Sequence, residues 1–127
     1  MRKTLLLVDY DPRSIDAIRR CLATLQVQIV LATDGEAGER EYQRLRPDLT
    51  LVQEILPKKR GIDLCRDLKN SADGANHPVL LIAFVRDGGR YRLLTSRCDG
   101  VIEKPFDEQT LLAKVRKFLP DVTWSAA

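Results

Sequence analysis

The 127-residue sequence is poor in cysteine, histidine and aromatic residues, and it contains no long apolar run. Its three cysteines, Cys21, Cys65 and Cys98, form no CxxC pair. Each lies among helical or apolar residues, which favours buried thiols in a reducing compartment over a metal site or disulfide framework. The apolar run near the amino terminus ends after Val8, which is too short for a signal peptide. No run approaches transmembrane length, so we expect a cytoplasmic protein that does not bind a membrane.

Charge is also nearly balanced, with a net value of +3, which by itself is too small to indicate a nucleic-acid partner. With 44% hydrophobic and 31% charged residues the chain is typical of a globular protein. Its length fits one domain, which we place at residues 1–120, with residues 121–127 as a tail or the start of a linker. No helix-turn-helix pattern follows this domain, so direct DNA binding has no support.

Short apolar runs that end at polar or turn residues predict five buried strands. These runs are Leu5–Val8, Val27–Ala32, Leu49–Val52, Val79–Phe84 and Val101–Ile102. Helical spacing predicts helices that begin near Pro12, Gly35, Gly61 and Asp107. A further helix over residues 90–97 has arginines at both ends and is predicted to be short or irregular. Strands that alternate with helices predict an α/β protein with a doubly wound parallel sheet.

The stretch from Pro47 to Gly61 contains the most informative of these strands, because its apolar run stops at the polar residue Gln53. In open α/β sheets, ligands and chemistry lie just beyond the carboxyl ends of the strands. We therefore expect any functional site to be near Gln53. Glu54 is adjacent, but successive strand side chains point to opposite faces, so we expect it to lie outside that site.

The chain resembles the receiver domain of two-component response regulators over roughly Arg2 to Leu119. The matching segments are LLLVDYDPRS, PDLTLVQEILPKKRG, NHPVLLIAF and CDGVIEKPFD. This resemblance implies a flavodoxin-like, five-stranded parallel sheet with strand order 2-1-3-4-5. It also implies a phosphorylation site at the carboxyl ends of strands one, three, four and five.

The family's functional positions are mostly changed in this sequence. The resemblance implies an acceptor aspartate after strand three, an acidic pair that holds Mg²⁺ with it, a Ser or Thr ending strand four, a lysine before proline, and a switching aromatic in strand five. The acceptor position holds Gln53, and the acidic pair is Asp9 with Tyr10, while Asp11 lies one residue beyond the pair. The Ser or Thr position holds Ala83, and the aromatic position holds Val101. The lysine is kept as Lys104 before Pro105. We therefore predict a degenerate phosphorylation pocket with no catalytic residue, no cofactor and no metal, in which Asp9 is a vestigial ligand.

The pocket residues also have structural explanations. Lys104 is expected to be the counter-ion of Asp9, because a partly buried cation needs a partner. Gln53 is expected to fill the pocket through hydrogen bonds, and Tyr10 to pack over its mouth.

A second candidate site consists of six basic residues and Val101 in the last predicted strand. It lies in the region that corresponds to the family's usual partner and dimer face. Its members are Lys58, Lys59, Arg60, Arg92, Val101, Lys114 and Lys117. The ordinary explanation is a solvated face whose cations complement helix carboxyl ends. The alternative is a docking surface for an acidic protein partner.

These observations predict a pseudo-receiver of bacterial two-component or phosphorelay signalling. It would not be an enzyme and would act through protein–protein contacts without phosphorylation. Two alternatives stay open: a phospho-accepting regulator with an atypical site, and a receiver-like module that binds a small ligand. The identity of the protein partner and the existence of a homodimer also stay open.

Overall fold

The computed structural model describes residues 2–84 and 97–122, which contain five β-strands and four α-helices. The strands are β1 Lys3–Val8, β2 Val27–Ala32, β3 Leu49–Gln53, β4 Val79–Ala83 and β5 Gly100–Glu103. The helices are α1 Pro12–Leu22, α2 Gly35–Leu45, α3 Gly61–Lys69 and α4 Glu108–Phe118. Arg92, and all but the last residue of the helix predicted over 90–97, lie outside the described residues. Within the described ranges, no helix has the length and apolar character needed to cross a membrane.

The strands form one parallel sheet in the order β2-β1-β3-β4-β5, which confirms the expected architecture. Every residue of β3 and β4 is buried. Parallel strands joined by helical crossovers are covered on both faces, which explains why these strands are almost uniformly apolar in sequence. The sheet therefore brings the carboxyl ends of β1, β3, β4 and β5 to a single edge.

The alternation of side chains along each strand divides the core into two clusters, one on each face of the sheet. Leu5 and Leu7 of β1 belong to the cluster covered by α1 and α4. Leu6 and Val8 belong to the cluster covered by α2 and α3. Cys21 is buried in the first cluster and Cys65 in the second, as predicted, whereas Cys98 is only partly buried.

Aspartate side chains cap three of the helices, α1, α2 and α4, whose amino ends follow the carboxyl ends of β1, β2 and β5. Asp11 is the N-cap of α1. The Asp34 carboxylate accepts from the N–H of Ala37 at 2.7 Å, and Asp107 accepts from the N–H of Thr110 at 2.8 Å. Those backbone donors hold the pKa of Asp34 and of Asp107 below the usual range.

Candidate functional site

The sheet brings the predicted pocket residues to one edge. Asp9 directly follows β1, Gln53 ends β3, Ala83 ends β4, and Lys104 directly follows β5. Asp9, Gln53 and Ala83 are buried, with 0%, 3% and 1% of their surface exposed, while Lys104 is partly buried. The Lys104–Pro105 peptide bond is cis.

A hydrogen-bond network centred on Gln53 fills this pocket. The Gln53 Nε2 atom donates to Asp9 Oδ2 at 3.0 Å and to Ser14 Oγ at 2.9 Å. Asp9 Oδ1 accepts from the backbone N–H of Asp11 at 3.1 Å. Because a carboxylate only accepts, its contact with Gln53 shows that the NH₂ group, and not the amide oxygen, faces Asp9.

Ser14 is a member of this network that sequence reasoning missed. It lies in the first turn of α1, and its hydroxyl contacts a side chain 39 residues away in sequence. The available signal was positional: α1 begins only a few residues after Asp9, so its first turn must lie beside the strand ends. Sequence spacing alone does not reveal that this hydroxyl accepts from Gln53.

The prediction that Lys104 is the counter-ion of Asp9 is wrong. No described cation forms an ion pair with Asp9, whose two oxygens instead accept the hydrogen bonds from Gln53 and Asp11. The Lys104 ammonium lies 5.5 Å from the ring centroid of Phe84, which is within the range of a cation–π contact. Phe84 is 52% exposed, so it offers Lys104 a ring face at the rim of the pocket.

Large, exposed apolar side chains follow three of the strand ends. Tyr10, Ile55 and Phe84 follow β1, β3 and β4 respectively, and they are 47%, 68% and 52% exposed. Tyr10 therefore contributes less packing over the pocket mouth than the sequence suggested. Among the described residues, Ser14 of α1 contacts Gln53 directly, so α1 lies beside the pocket.

The donor set does not fit the Mg²⁺ that the receiver resemblance implies. Among residues 2–84 and 97–122, no cluster of three or more His, Cys, Asp or Glu side chains is placed to hold a metal. Asp11 is engaged as the N-cap of α1, and Gln53 turns an N–H group towards Asp9. Mg²⁺ requires nearly octahedral oxygen ligands, usually including carboxylates. An amide N–H cannot supply one of those ligands.

A family model of the response regulator receiver domain matches residues 5–116. The chain belongs to this family. The receiver is 31% identical over 116 residues to the DNA-binding dual master transcriptional regulator RpaA of Synechocystis, covering 91% of this chain and 48% of that protein. It is 34% identical over 116 residues to the DNA-binding response regulator MtrA of Mycolicibacterium smegmatis, covering 91% and 50% respectively. The chain thus spans about half the length of these curated relatives.

A solved structure supports the same assignment. The receiver superimposes on the signal receiver domain of a signal transduction histidine kinase from Syntrophus aciditrophicus with a TM-score of 0.88. The two sequences are 26% identical, and the match covers 98% of this chain and 96% of the other.

The loop between β3 and α3 contains a basic triplet, Lys58-Lys59-Arg60. Within this triplet, Lys59 forms two ion pairs. The Lys59 Nζ atom lies 2.6 Å from Glu39 Oε2 and 2.5 Å from Asp67 Oδ2. Those carboxylates, Asp67 first and then Glu39, raise the pKa of the Lys59 ammonium. Because Glu39 is on α2 and Asp67 on α3, Lys59 joins the two helices.

The other two cations of the triplet are also paired. Lys58 lies 3.7 Å from the carboxylate of Asp34, and Arg60 Nε lies 2.9 Å from that of Asp63. Lys58 and Arg60 are nevertheless exposed, so a docking role for the triplet stays a prediction beside the structural role of Lys59. On α4, Lys117 is exposed with its Nζ 5.8 Å from the centroid of the Phe118 ring, and Lys114 is partly buried.

The substitution Lys59→Met is expected to lower the free energy of unfolding by about 1 kcal/mol, because the carboxylates of Glu39 and Asp67 lose their shared partner. Urea unfolding at low salt measures this loss. Lys117→Met is the matched control, since it removes a cation without an ion pair among the described residues and should change stability by less than about 0.5 kcal/mol. Equal stabilities of the two variants would contradict the structural role of Lys59.

Proposed function

We propose that this receiver signals through protein–protein contacts and is not phosphorylated. The observation that carries the proposal is the side chain of Gln53 at the end of β3, where the family resemblance places the acceptor aspartate. Formation of an acyl phosphate requires a carboxylate oxygen as the nucleophile. The amide of Gln53 lacks one, and its nitrogen is engaged with Asp9 and Ser14.

The neighbouring positions support the same conclusion. A phosphoryl group carries charge that a metal or hydrogen-bond donors must stabilise during transfer. Ala83 offers a methyl group at the end of β4, and Lys104 is directed to Phe84 rather than to the Asp9 carboxylate. The N–H group of Gln53 satisfies Asp9 without a metal ion, so the pocket has a hydrogen-bonded arrangement of its own.

The surface formed by β5 and α4 is the proposed partner face. Val101 is partly buried against the cluster under α2 and α3, and it has no aromatic ring that could swing inward. Lys114 and Lys117 add positive charge on α4, which suits an acidic signalling protein in the cytoplasm. The receiver would act there by its presence or concentration, as a binding module rather than an enzyme.

A small-molecule phosphodonor supplied with Mg²⁺ is expected to leave the intact mass of the receiver unchanged. The physical reason is that the acceptor position has no carboxylate and the pocket lacks the oxygen ligands for Mg²⁺. Mass spectrometry of the intact protein, with an active receiver treated in parallel, provides the measurement.

One outcome of this experiment, and one outcome of a separate NMR titration with Mg²⁺, would count against the proposal. A stoichiometric phosphoryl adduct that hydroxylamine removes would identify an acyl phosphate and favour the atypical phospho-acceptor. Saturable shifts of the Asp9 and Gln53 amide resonances with Mg²⁺ alone would show that the pocket still holds the metal.

A further inference from the structure

The segment that leads into β5 is attached to the carboxyl end of α3 on both sides of Cys98. Before it, the Arg97 guanidinium donates to the side-chain oxygen of Asn70. After it, Asp99 Oδ2 lies 2.8 Å from the Lys69 ammonium. Cys98 is thus held alongside the last turn of α3.

Cys65 lies on α3 one helical turn before Lys69, which places it about 6 Å along the helix axis from that contact. Its thiol is fully buried in the cluster under α2 and α3, and Cys98 packs against the same cluster while remaining partly exposed. Burial, and then the nearby Cys98, raise the pKa of the Cys65 thiol well above its usual range. Both residues are thiols in this structure.

We propose that Cys98 and Cys65 form a redox pair that closes to an intramolecular disulfide when the receiver meets a hydroperoxide. Cys98 reacts first, because it is the more exposed of the two: its sulfur displaces water from hydrogen peroxide and becomes a sulfenic acid. Cys65 then loses its proton and its sulfur attacks the Cys98 sulfur, a second water leaves, and the S–S bond forms. Because burial raises the pKa of the Cys65 thiol, we expect this second step to be the slower one. Two thiols together lose two electrons and two protons, and one peroxide is reduced to two waters.

The disulfide would join α3 to the entry of β5, at the opposite end of the sheet from Gln53. It is independent of the proposed function, since it uses none of the pocket residues. Cys21 supplies an internal control: it lies in the cluster on the other face, and its thiol donates to the carbonyl oxygen of Glu108 at 3.5 Å. The sheet therefore separates the Cys21 sulfur from Cys98, and this position is what makes Cys21 a control.

The test is treatment of the full chain with hydrogen peroxide at neutral pH, followed by denaturation, alkylation of the remaining thiols and intact mass measurement. The main product should have lost about 2 Da before alkylation and should take up one alkyl group, on Cys21. Trypsin should then release residues 61–66 linked to residues 98–114, and a reductant should separate them.

Three variants make the result specific. Cys98→Ser should abolish the linked peptide, and Cys21→Ser should leave it unchanged. Cys65→Ala should stop the reaction at oxidised Cys98 or an intermolecular disulfide. If Cys65→Ala fails to fold, the peptide maps of the unaltered chain and of Cys98→Ser still show whether the disulfide forms. Oxidation of Cys98 to the sulfinic acid without the linked peptide, a bond through Cys21, or no reaction would each overturn the proposal.

Discussion

Alanine at position 61 is expected to destabilise the receiver by about 2 kcal/mol or more and to disturb the pocket at the same time. A Cβ atom on Gly61 would lie 2.0 Å from the carbonyl oxygen of Gln53 and 2.8 Å from the Cα atom of Glu54. Both atoms belong to the backbone and cannot rotate away. The N–H of Gly61 also donates to the carbonyl of Glu54 at 2.8 Å, so relief of the clash would strain the start of α3.

Gly100→Ala is the matched control for this substitution. A Cβ atom there would lie 3.0 Å from Leu80 Cδ2, the end of a flexible side chain, and 3.8 Å from the Phe118 ring. Alanine also reduces the entropy of the unfolded chain, which stabilises by about 0.4–1 kcal/mol and offsets part of any strain. We therefore expect a net change within about 1 kcal/mol in urea unfolding. A Gly61→Ala variant as stable as Gly100→Ala would show that the β3–α3 loop adjusts at little cost.

Much of the fold was predictable because burial on both faces imposes one rule on every strand of a parallel sheet. A short apolar run predicts a strand, and the first polar residue after it predicts where that strand ends. The small errors follow from the same rule. Gln53 was placed just beyond β3, yet its backbone pairs in register with Ile82. Phe84 was included in β4 because it is apolar, but it lies beyond the strand and is 52% exposed.

The partners of charged groups were much less predictable. The long side chain of a lysine or arginine can reach whichever acceptor the tertiary fold brings close, and that acceptor is often distant in sequence. The ion pairs by which Lys59 joins α2 to α3 were not foreseen, and its proposed part in docking stays a prediction. Lys104 was assigned to Asp9 but lies over Phe84, since Gln53 had already satisfied the carboxylate. Residue identities predicted that the pocket departs from the family pattern, while the hydrogen bonds of Gln53 required coordinates.

Aspartate at position 53 alone is expected to lower stability and to leave the receiver inert towards a phosphodonor. The substitution removes the N–H groups that reach Asp9 at 3.0 Å and Ser14 at 2.9 Å, and it adds a second carboxylate near Asp9. Two like charges ~4 Å apart repel by about 1 to 4 kcal/mol at effective dielectrics of ~80 down to ~20. The Asp9 site is buried and Lys104 is directed elsewhere, so we expect the upper half of that range.

This loss of stability should shrink as the pH falls. Burial and the charge of Asp9 both disfavour the ionised form of the new carboxyl, so its pKa in the folded state would be raised. A raised folded pKa gives stability that is present below the unfolded pKa and lost as the pH rises through the folded pKa. Urea unfolding at about pH 5 and about pH 8 should therefore show a smaller deficit at the lower pH. Gln53→Asn keeps an uncharged amide of the same length as aspartate, and its deficit should not depend on pH.

Two further substitutions are expected to restore phosphorylation in a definite order. Tyr10→Asp supplies a second carboxylate beside Asp9, so the double variant should bind Mg²⁺ and become weakly phosphorylated. Ala83→Thr then supplies a hydroxyl at the end of β4, and the triple variant should be phosphorylated faster. Replacing Ala83 by valine instead adds a similar volume without the hydroxyl, so it separates hydrogen bonding from packing.

Intact mass after phosphodonor treatment measures each step of this series. Efficient phosphorylation of the Gln53→Asp variant alone would show that the missing carboxylate is the only barrier, and that the contacts of Asp9, Ala83 and Lys104 are compatible with phosphoryl transfer. A triple variant that stays unmodified would place the barrier in the position of the pocket backbone. Even a phosphorylated triple variant should change little at β5, because Val101 has no aromatic ring to move inward. Its amide resonance should therefore shift far less on phosphorylation than those of Asp9 and residue 53.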